Sequence, residues 1–198
     1  MLLRTLPLLF VSLSLIGCAS SLNRREVNVA MAKAPEKDLR VAVLDFETKE
    51  GKEYNDGLTN FKPDANAGPR LAEVVATKLV GLPKHVLIER SRLEEVRKEL
   101  ELQQEDLVGE NLKKLGKLAG ADAIVLGSAE GTYLNNAFGW ANQLRASFRL
   151  VDIEAGSVLW SVDGHIYDTN SSSDVYVMLT LDAFGQLKSK IEKDAKKE

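Results

Sequence analysis

Hydrophobic residues fall into regular patterns from Leu39 onward, and those patterns predict the elements of a folded domain. Arg40-Val-Ala-Val-Leu-Asp-Phe46 is a short run rich in apolar residues, suited to a strand buried on both faces. Residues 47–67 are rich in Gly, Asn, Asp and Lys and read as a long loop of the kind that is often functional. Gly68-Pro69 opens a helix whose Leu71, Val74, Val75 and Leu79 share one face, with Gly81 placed to end it. Val86-Leu-Ile88 reads as a second strand. Ser91-Arg-Leu-Glu94 has the spacing of a capping box at the start of a helix, with Leu93, Val96 and Leu100 inward. A further helix carries Leu112, Leu115 and Ala119 and closes at Gly120.

The second half of the chain changes period. Ala121-Asp-Ala-Ile-Val-Leu-Gly127 is a strand continuing toward Tyr133. From Leu144 to Ile153, Arg145, Ser147 and Arg149 alternate with Ala146, Phe148 and Leu150, the signature of a half-buried strand. A turn at Glu154-Ala-Gly-Ser157 returns the chain through Val158, Trp160, Val162 and Ile166. Ser171-Ser-Ser-Asp174 caps a last helix with Val177, Leu181, Phe184, Leu187 and Ile191 on its expected inner stripe. The order β-α-β-α-α-β-β-β-α defines the expected fold class: α/β, a single domain with a mixed β-sheet covered by helices.

The N-terminus has another character. Arg4 precedes about ten apolar residues, then Gly17-Cys18-Ala19-Ser20, the charge-then-apolar layout of a secretory signal. The apolar run is shorter than the roughly 20 residues of a membrane-spanning helix. Leu15-Ile16-Gly17-Cys18 resembles the bacterial lipobox, which implies a diacylglyceryl thioether on Cys18, the single cysteine of the chain. Ala19 and Ser20 lack an aspartate resembling an inner-membrane retention signal, which points to the periplasmic face of the outer membrane. The expected division is a signal peptide over residues 1–17, a lipidated flexible tether over 18–38, the domain over 39–193 and a charged tail over 194–198.

Composition narrows the chemistry. The 198 residues carry 26 basic and 29 acidic side chains, a net charge of −3, which leaves no basic excess to bind nucleic acid. One cysteine and two histidines argue against an intrachain disulfide and a Cys/His zinc site. His85 and His165 stand in no nucleophile or metal motif, and no glycine set cradles phosphate. No enzyme activity, cofactor or metal is expected.

The fragments RVAVLDFE, RLAEVVATKLV, HVLIERSRLEEVRKELELQQ, LGKLAGADAIVLGSAEGT and RLVDIEAGSVLWSVDG occur in this order behind the lipobox. Together they resemble the CsgG family of curli-assembly lipoproteins and, more loosely, TolB N-terminal and LpoB-like periplasmic domains. The resemblance implies a lipid-anchored protein acting through protein contacts in the assembly or export of a surface structure, with self-association as a further expectation. An LpoB-like activator of a peptidoglycan synthase is the alternative. The family's channel members insert two β-hairpins into the membrane. Here the corresponding excursions, Leu134 to Asn142 and Thr169 to Ser173, are shorter than the roughly twenty residues a spanning hairpin needs, so no pore is expected of this chain. The family's constriction uses Tyr, Asn and Phe on the loop after the first strand; Tyr54, Asn60 and Phe61 lie on the matching loop at different spacing, with incidental aromatics on a polar loop as the alternative. Phe138 and Trp140 place two aromatics at a hairpin tip, either folded back on the domain or in contact with headgroups or a partner.

Overall fold

The computed structural model describes residues 23–102, 106, 109–136, 139–169 and 174–196. Strands are β1 (Arg24–Met31), β2 (Leu39–Val43), β3 (Glu47–Thr48), β4 (Tyr54–Asn55), β5 (Thr59–Pro63), β6 (His85–Leu87), β7 (Ala123–Asn136), β8 (Gly139–Asp152) and β9 (Val158–Asp168). Helices are α1 (Ala67–Leu79), α2 (Arg90–Glu99), α3 (Gly109–Ala119) and α4 (Val175–Asp194). The expected α/β domain with a mixed sheet is present, in the order β1-β9-β8-β7-β2-β6.

The sheet has two regimes. β2 pairs parallel with β6 and with the start of β7. Val41–Val43 of β2 and Ala123–Val125 of β7 are covered on both faces, which is why those two runs are apolar throughout, while β6 at the sheet edge leaves Val86 half exposed. Val41, Val43 and Val125 face the core under α1, while Ala42, Leu44 and Ile124 pack with Leu93, Leu112 and Leu115 of α2 and α3. β7, β8, β9 and β1 are antiparallel and covered on one face only, by α1 and α4. There Phe148 and Phe184 stack, and Trp160 meets both edge-on. The other face carries Glu26, Asn28, Ser128, Glu130, Arg145, Ser147 and Asp163, the polar half of the alternation.

Several expectations are corrected. The tether proposed over residues 18–38 enters the sheet at Arg24: β1 pairs with β9 from Arg24↔Tyr167 to Met31↔Trp160. The cause is a period-two pattern in which Val27, Val29 and Met31 pack on the main core while Glu26 and Asn28 face outward. The loop proposed over residues 47–67 contains β3, β4 and β5, all tied directly or through a neighbour to β7. The tail proposed from residue 194 begins later, since Asp194 belongs to α4. α2 starts at Arg90 with Glu89 in the cap position, so Ser91 lies inside the first turn. On α4, Leu179 and Ala183 are buried and Leu181 is half exposed, so the inner stripe is rotated from the expected one.

At the far end of the sheet, Arg40 joins two of the sequence fragments. Its Nε and Nη2 donate to Asp122 Oδ2 and Oδ1 at 3.0 and 2.8 Å, and its backbone N–H donates to Oδ2 at 2.9 Å. The bidentate guanidinium pair holds the Asp122 carboxyl down at about 2.

His85 is the buried titratable side chain of the parallel half. Its Nδ1–H donates to the Pro83 carbonyl at 2.7 Å, and its Nε2 accepts from the Trp160 indole at 3.3 Å. Burial lowers its pKa below 6.5 although the Pro83 bond works the other way. The unfolded chain therefore binds this proton first as pH falls, and the stability supplied by neutral His85 is complete above the unfolded value and lost as pH drops through the folded one. Urea unfolding between pH 8 and pH 5 is expected to show stability declining below about 6.5. His85→Gln removes part of that slope, and a slope unchanged by the substitution contradicts the assignment.

Candidate functional site at the end of the long hairpin

β7 and β8 run on past the helices as one hairpin, paired from Ala123↔Asp152 to Asn136↔Gly139. β5 adds to the free edge of β7 there, from Pro63↔Thr132 to Thr59↔Asn136, and β4 adds to β5 through Tyr54↔Phe61 and Asn55↔Asn60. The result is a small four-stranded sheet, β4-β5-β7-β8, at one end of the domain.

Register decides which residues meet. One cross-strand row reads Tyr54, Phe61, Leu134, Ala141 and the next reads Asn55, Asn60, Asn135, Trp140. Adjacent rows point to opposite faces. The structure thus brings together Tyr54, Asn60, Phe61 and Trp140, which the sequence offered as two separate candidates. Tyr54 and Phe61 meet edge-on with ring centroids 6.1 Å apart. Asn60 lies on the other face, in the row of Trp140. Phe138 and Cys18 lie outside the described residues.

The β4–β5 turn is built by its own side chains. Asp56 Oδ1 accepts from the Leu58 and Thr59 amides, Asn55 Oδ1 accepts from the Gly57 amide at 2.9 Å, and the Tyr54 hydroxyl donates to Asp56 Oδ2 at 3.1 Å. The Thr59 and Leu58 amides hold the Asp56 carboxyl below its ordinary range, and the same Asp56 raises the Tyr54 phenol. Leu58 is left 73% exposed at the turn, Trp140 59% and Tyr54 53%.

A polar latch joins this sheet to the body. Asp64 Oδ2 accepts from the Tyr176 and Tyr133 hydroxyls at 2.8 and 2.9 Å, and Oδ1 accepts from the Asn66 amide. Arg70 donates to the Tyr133 hydroxyl and to Asp174 Oδ2, both at 3.0 Å, and its guanidinium lies 4.5 Å from the Tyr176 ring centroid. Asp174 also caps α4 through the Tyr176 and Val177 amides. Burial alone would raise the Asp64 carboxyl, but the Tyr176, Asn66 and Tyr133 hydrogen bonds and the Arg70 charge bring it below its ordinary value. Burial, reinforced by the Asp64 carboxylate, pushes the Tyr176 phenol well up. Gly131 makes room for the latch, because a Cβ there would lie 2.3 Å from the Tyr176 hydroxyl. Sequence reading named Asp174 only as a helix cap and did not find Asp64, Arg70 and Tyr176 as its companions: Asp64 and Tyr176 are 112 positions apart, and no motif spacing links them.

The site is an arrangement of aromatic, aliphatic and amide side chains on a braced sheet, suited to binding. Among the described residues no group of three or more His, Cys, Asp or Glu side chains is arranged to hold a metal ion, and no described helix is long and apolar enough to cross a membrane.

The architecture defines an α/β domain whose long central hairpin carries a small added sheet. The family described as curli production assembly/transport component CsgG matches residues 23–131, more than half of the chain, and the chain belongs to that family. The match takes in β1, in keeping with a domain that starts at Arg24. Among solved structures, lipoprotein GNA1162 from Neisseria meningitidis is similar at 18% identity, covering 81% of this chain and 99% of its own, with a TM-score of 0.55; this is a likeness of fold. A PelC dodecamer from Paraburkholderia phytofirmans is similar at 17% identity, covering 84% of this chain and 97% of its own, with a TM-score of 0.47. No curated protein matches the chain in sequence.

Asp64→Ala leaves the Tyr176 hydroxyl, on a residue only 2% exposed, without its acceptor. The expected cost is about 1–3 kcal/mol in urea unfolding. Tyr176→Phe, which removes donor and leaves Asp64 its other partners, is expected to cost less. Equal stability of Asp64→Ala and the parent contradicts the latch.

Proposed function

We propose that this protein is a lipid-anchored component of the outer membrane, on its periplasmic face, that acts through protein contacts in the assembly or export of a cell-surface structure. Cys18 is the lipidated residue, and self-association of identical chains is part of the reading. Membership of the CsgG family supports the assembly or export role. No catalytic step is assigned to any residue.

The observation that carries the finer claim, that the chain spans no bilayer itself, is the extent of the β7–β8 hairpin. Of its 14-residue strands, only Thr132–Asn136 and Gly139–Gln143 form the small end sheet, and β5 occupies the outer edge of β7 there. Five residues rise about 17 Å at most, against the 9–11 tilted residues of a membrane-crossing strand. Asn135 and Asn142 on that stretch are also poor lipid-facing residues.

The LpoB-like alternative needs reach from the outer membrane toward the cell wall. With β1 starting at Arg24, the chain between Cys18 and the sheet is about five residues, ~18 Å at full extension. That length favours a domain held close to the membrane.

Two measurements test the reading together. Labelled palmitate is expected to enter the protein and to be lost in Cys18→Ala. The purified lipidated protein is expected to give no stepwise conductance in planar bilayers, while crosslinking in native membranes recovers multiples of the chain with envelope partners. Persistent label in Cys18→Ala overturns the anchor, conductance steps overturn the non-spanning claim, and a lone chain crosslinked to a peptidoglycan synthase overturns the assembly role.

A further inference from the structure

We infer that the outer edge of β1, together with the groove between it and α4, is a docking site for an extended acidic segment of a partner protein, which adds to the sheet as a further strand. The inference rests on the reading that the protein acts through protein contacts, and deepens it by naming a surface and the chemistry of the segment it takes.

β1 ends the sheet: among the described residues no strand pairs with its far side. Its backbone phase is fixed at two points. The Ala32 amide donates to the Leu159 carbonyl at 3.0 Å, one step past the Met31↔Trp160 pair. On the other side, the Val27 carbonyl accepts from Gln186 Nε2 of α4 at 3.1 Å. In an antiparallel ladder, successive residues turn their N–H and C=O groups alternately toward the partner strand and away from it. Glu26, Asn28 and Ala30 therefore bond to β9, and Arg25, Val27, Val29 and Met31 present their backbone groups outward. Such an edge accepts another strand unless it is short, bulged, charged or interrupted by proline. β1 is eight residues long, its pairing with β9 is unbroken, and Val27–Met31 holds neither charge nor proline.

Cover is also incomplete on the core side of that edge. Val162 and Ile166 of β9 are fully buried, whereas Val27, Val29 and Met31, which pack on the same core, are only half-buried. Arg25 and Val27 line a shallow groove of about 690 Å³ with Leu181, Gly185, Lys190 and Lys193 of α4. Leu181 is 52% exposed. Gly185 lies in the interior of α4, where glycine is the poorest helix former after proline. A Cβ on it would meet nothing within 4 Å, so no packing contact among the described residues calls for glycine there. Its bare backbone leaves room for a strand laid beside β1.

Charge selects the occupant. Arg25, Lys190 and Lys193 line the groove against one acid, Asp182, on a chain whose net charge is −3. A strand bearing carboxylates is therefore attracted to this edge, and apolar residues on the same strand cover Leu181 and the half-buried valines. Strand addition of this kind draws affinity from main-chain hydrogen bonds and specificity from alternate side chains. A second copy fits less well, because β1 against β1 sets two basic grooves side by side.

The probe is a peptide as long as β1 that alternates valine with glutamate, blocked at both ends, with a valine–lysine peptide as its counterpart. Each is titrated into the full chain in mild detergent, and amide exchange is followed residue by residue by NMR. The glutamate peptide is expected to bind about tenfold more tightly than the lysine peptide. It is also expected to slow the Val27, Val29 and Met31 amides, while those of Asn28 and Ala30, already bonded to β9, stay as they were. Lys190→Glu/Lys193→Glu is expected to reverse the preference. Gly185→Gln is expected to weaken binding about tenfold while raising the thermal midpoint, which separates a filled groove from a damaged fold. No binding, equal binding of the two peptides, or binding unchanged in Gly185→Gln overturns the docking site. Val27, Val29 and Met31 amides that slow without peptide as protein concentration rises place a second copy on the edge and overturn the acidic segment. Palmitate labelling and conductance are read independently of the peptide, so failure of the docking site leaves the anchor and the non-spanning claim standing.

Discussion

The structure depends on one strand being hydrogen-bonded along both edges. β7 pairs with β8 over its whole length, and its other edge is filled in succession by β2, β3 and β5. Parallel pairing at the start of β7 places it in the doubly covered part of the domain, and antiparallel pairing at its end carries the same backbone past the helices. Everything that distinguishes the exposed end follows from this. A segment some 70 residues earlier in the chain is registered residue by residue on the hairpin, and an edge that would otherwise be open is paired.

The extension is braced rather than free. Asp64, directly after β5, collects the hydroxyls of Tyr133 on β7 and Tyr176 on α4, while Arg70 on α1 reaches Tyr133 and the Asp174 cap of α4. Two helices and two strands are thereby linked through one carboxylate and one guanidinium. Gly68 contributes to the same junction. A Cβ there would lie 2.0 Å from the Phe46 carbonyl oxygen, so only glycine lets α1 start against the chain leaving β2.

Much of this was legible in the sequence where periodicity and burial coincide. Leu71, Val75 and Leu79 on α1, the alternation through Phe148 and Leu150, and the Asp174 cap are local signals that the tertiary structure leaves intact. β1 was hidden because Arg24, Arg25, Glu26 and Asn28 make a one-sided strand look like a polar tether; the decisive Val27, Val29 and Met31 are too few to stand out. β4 and β5 were hidden because their order comes from β7, a partner remote in sequence, and their exposed face is polar. The inner face of α4 was misjudged because Leu181 is apolar yet exposed, while Thr180 turns inward with its hydroxyl bonded to the Tyr176 and Val177 carbonyls. Of the site residues, Tyr54, Asn60, Phe61 and Trp140 were nameable individually from the sequence. Their placement in two adjacent rows was not, since it rests on register between segments with no shared motif.

The most direct measurement of the central claim is amide hydrogen exchange across residues 59–62 and 132–136 in the folded protein. If β5 is a strand on β7, amides in both segments exchange slowly and gain or lose protection together when the sheet end is destabilised. Exchange of residues 59–62 at the rate of open chain, with 132–136 still protected, would contradict the pairing on which the account is built.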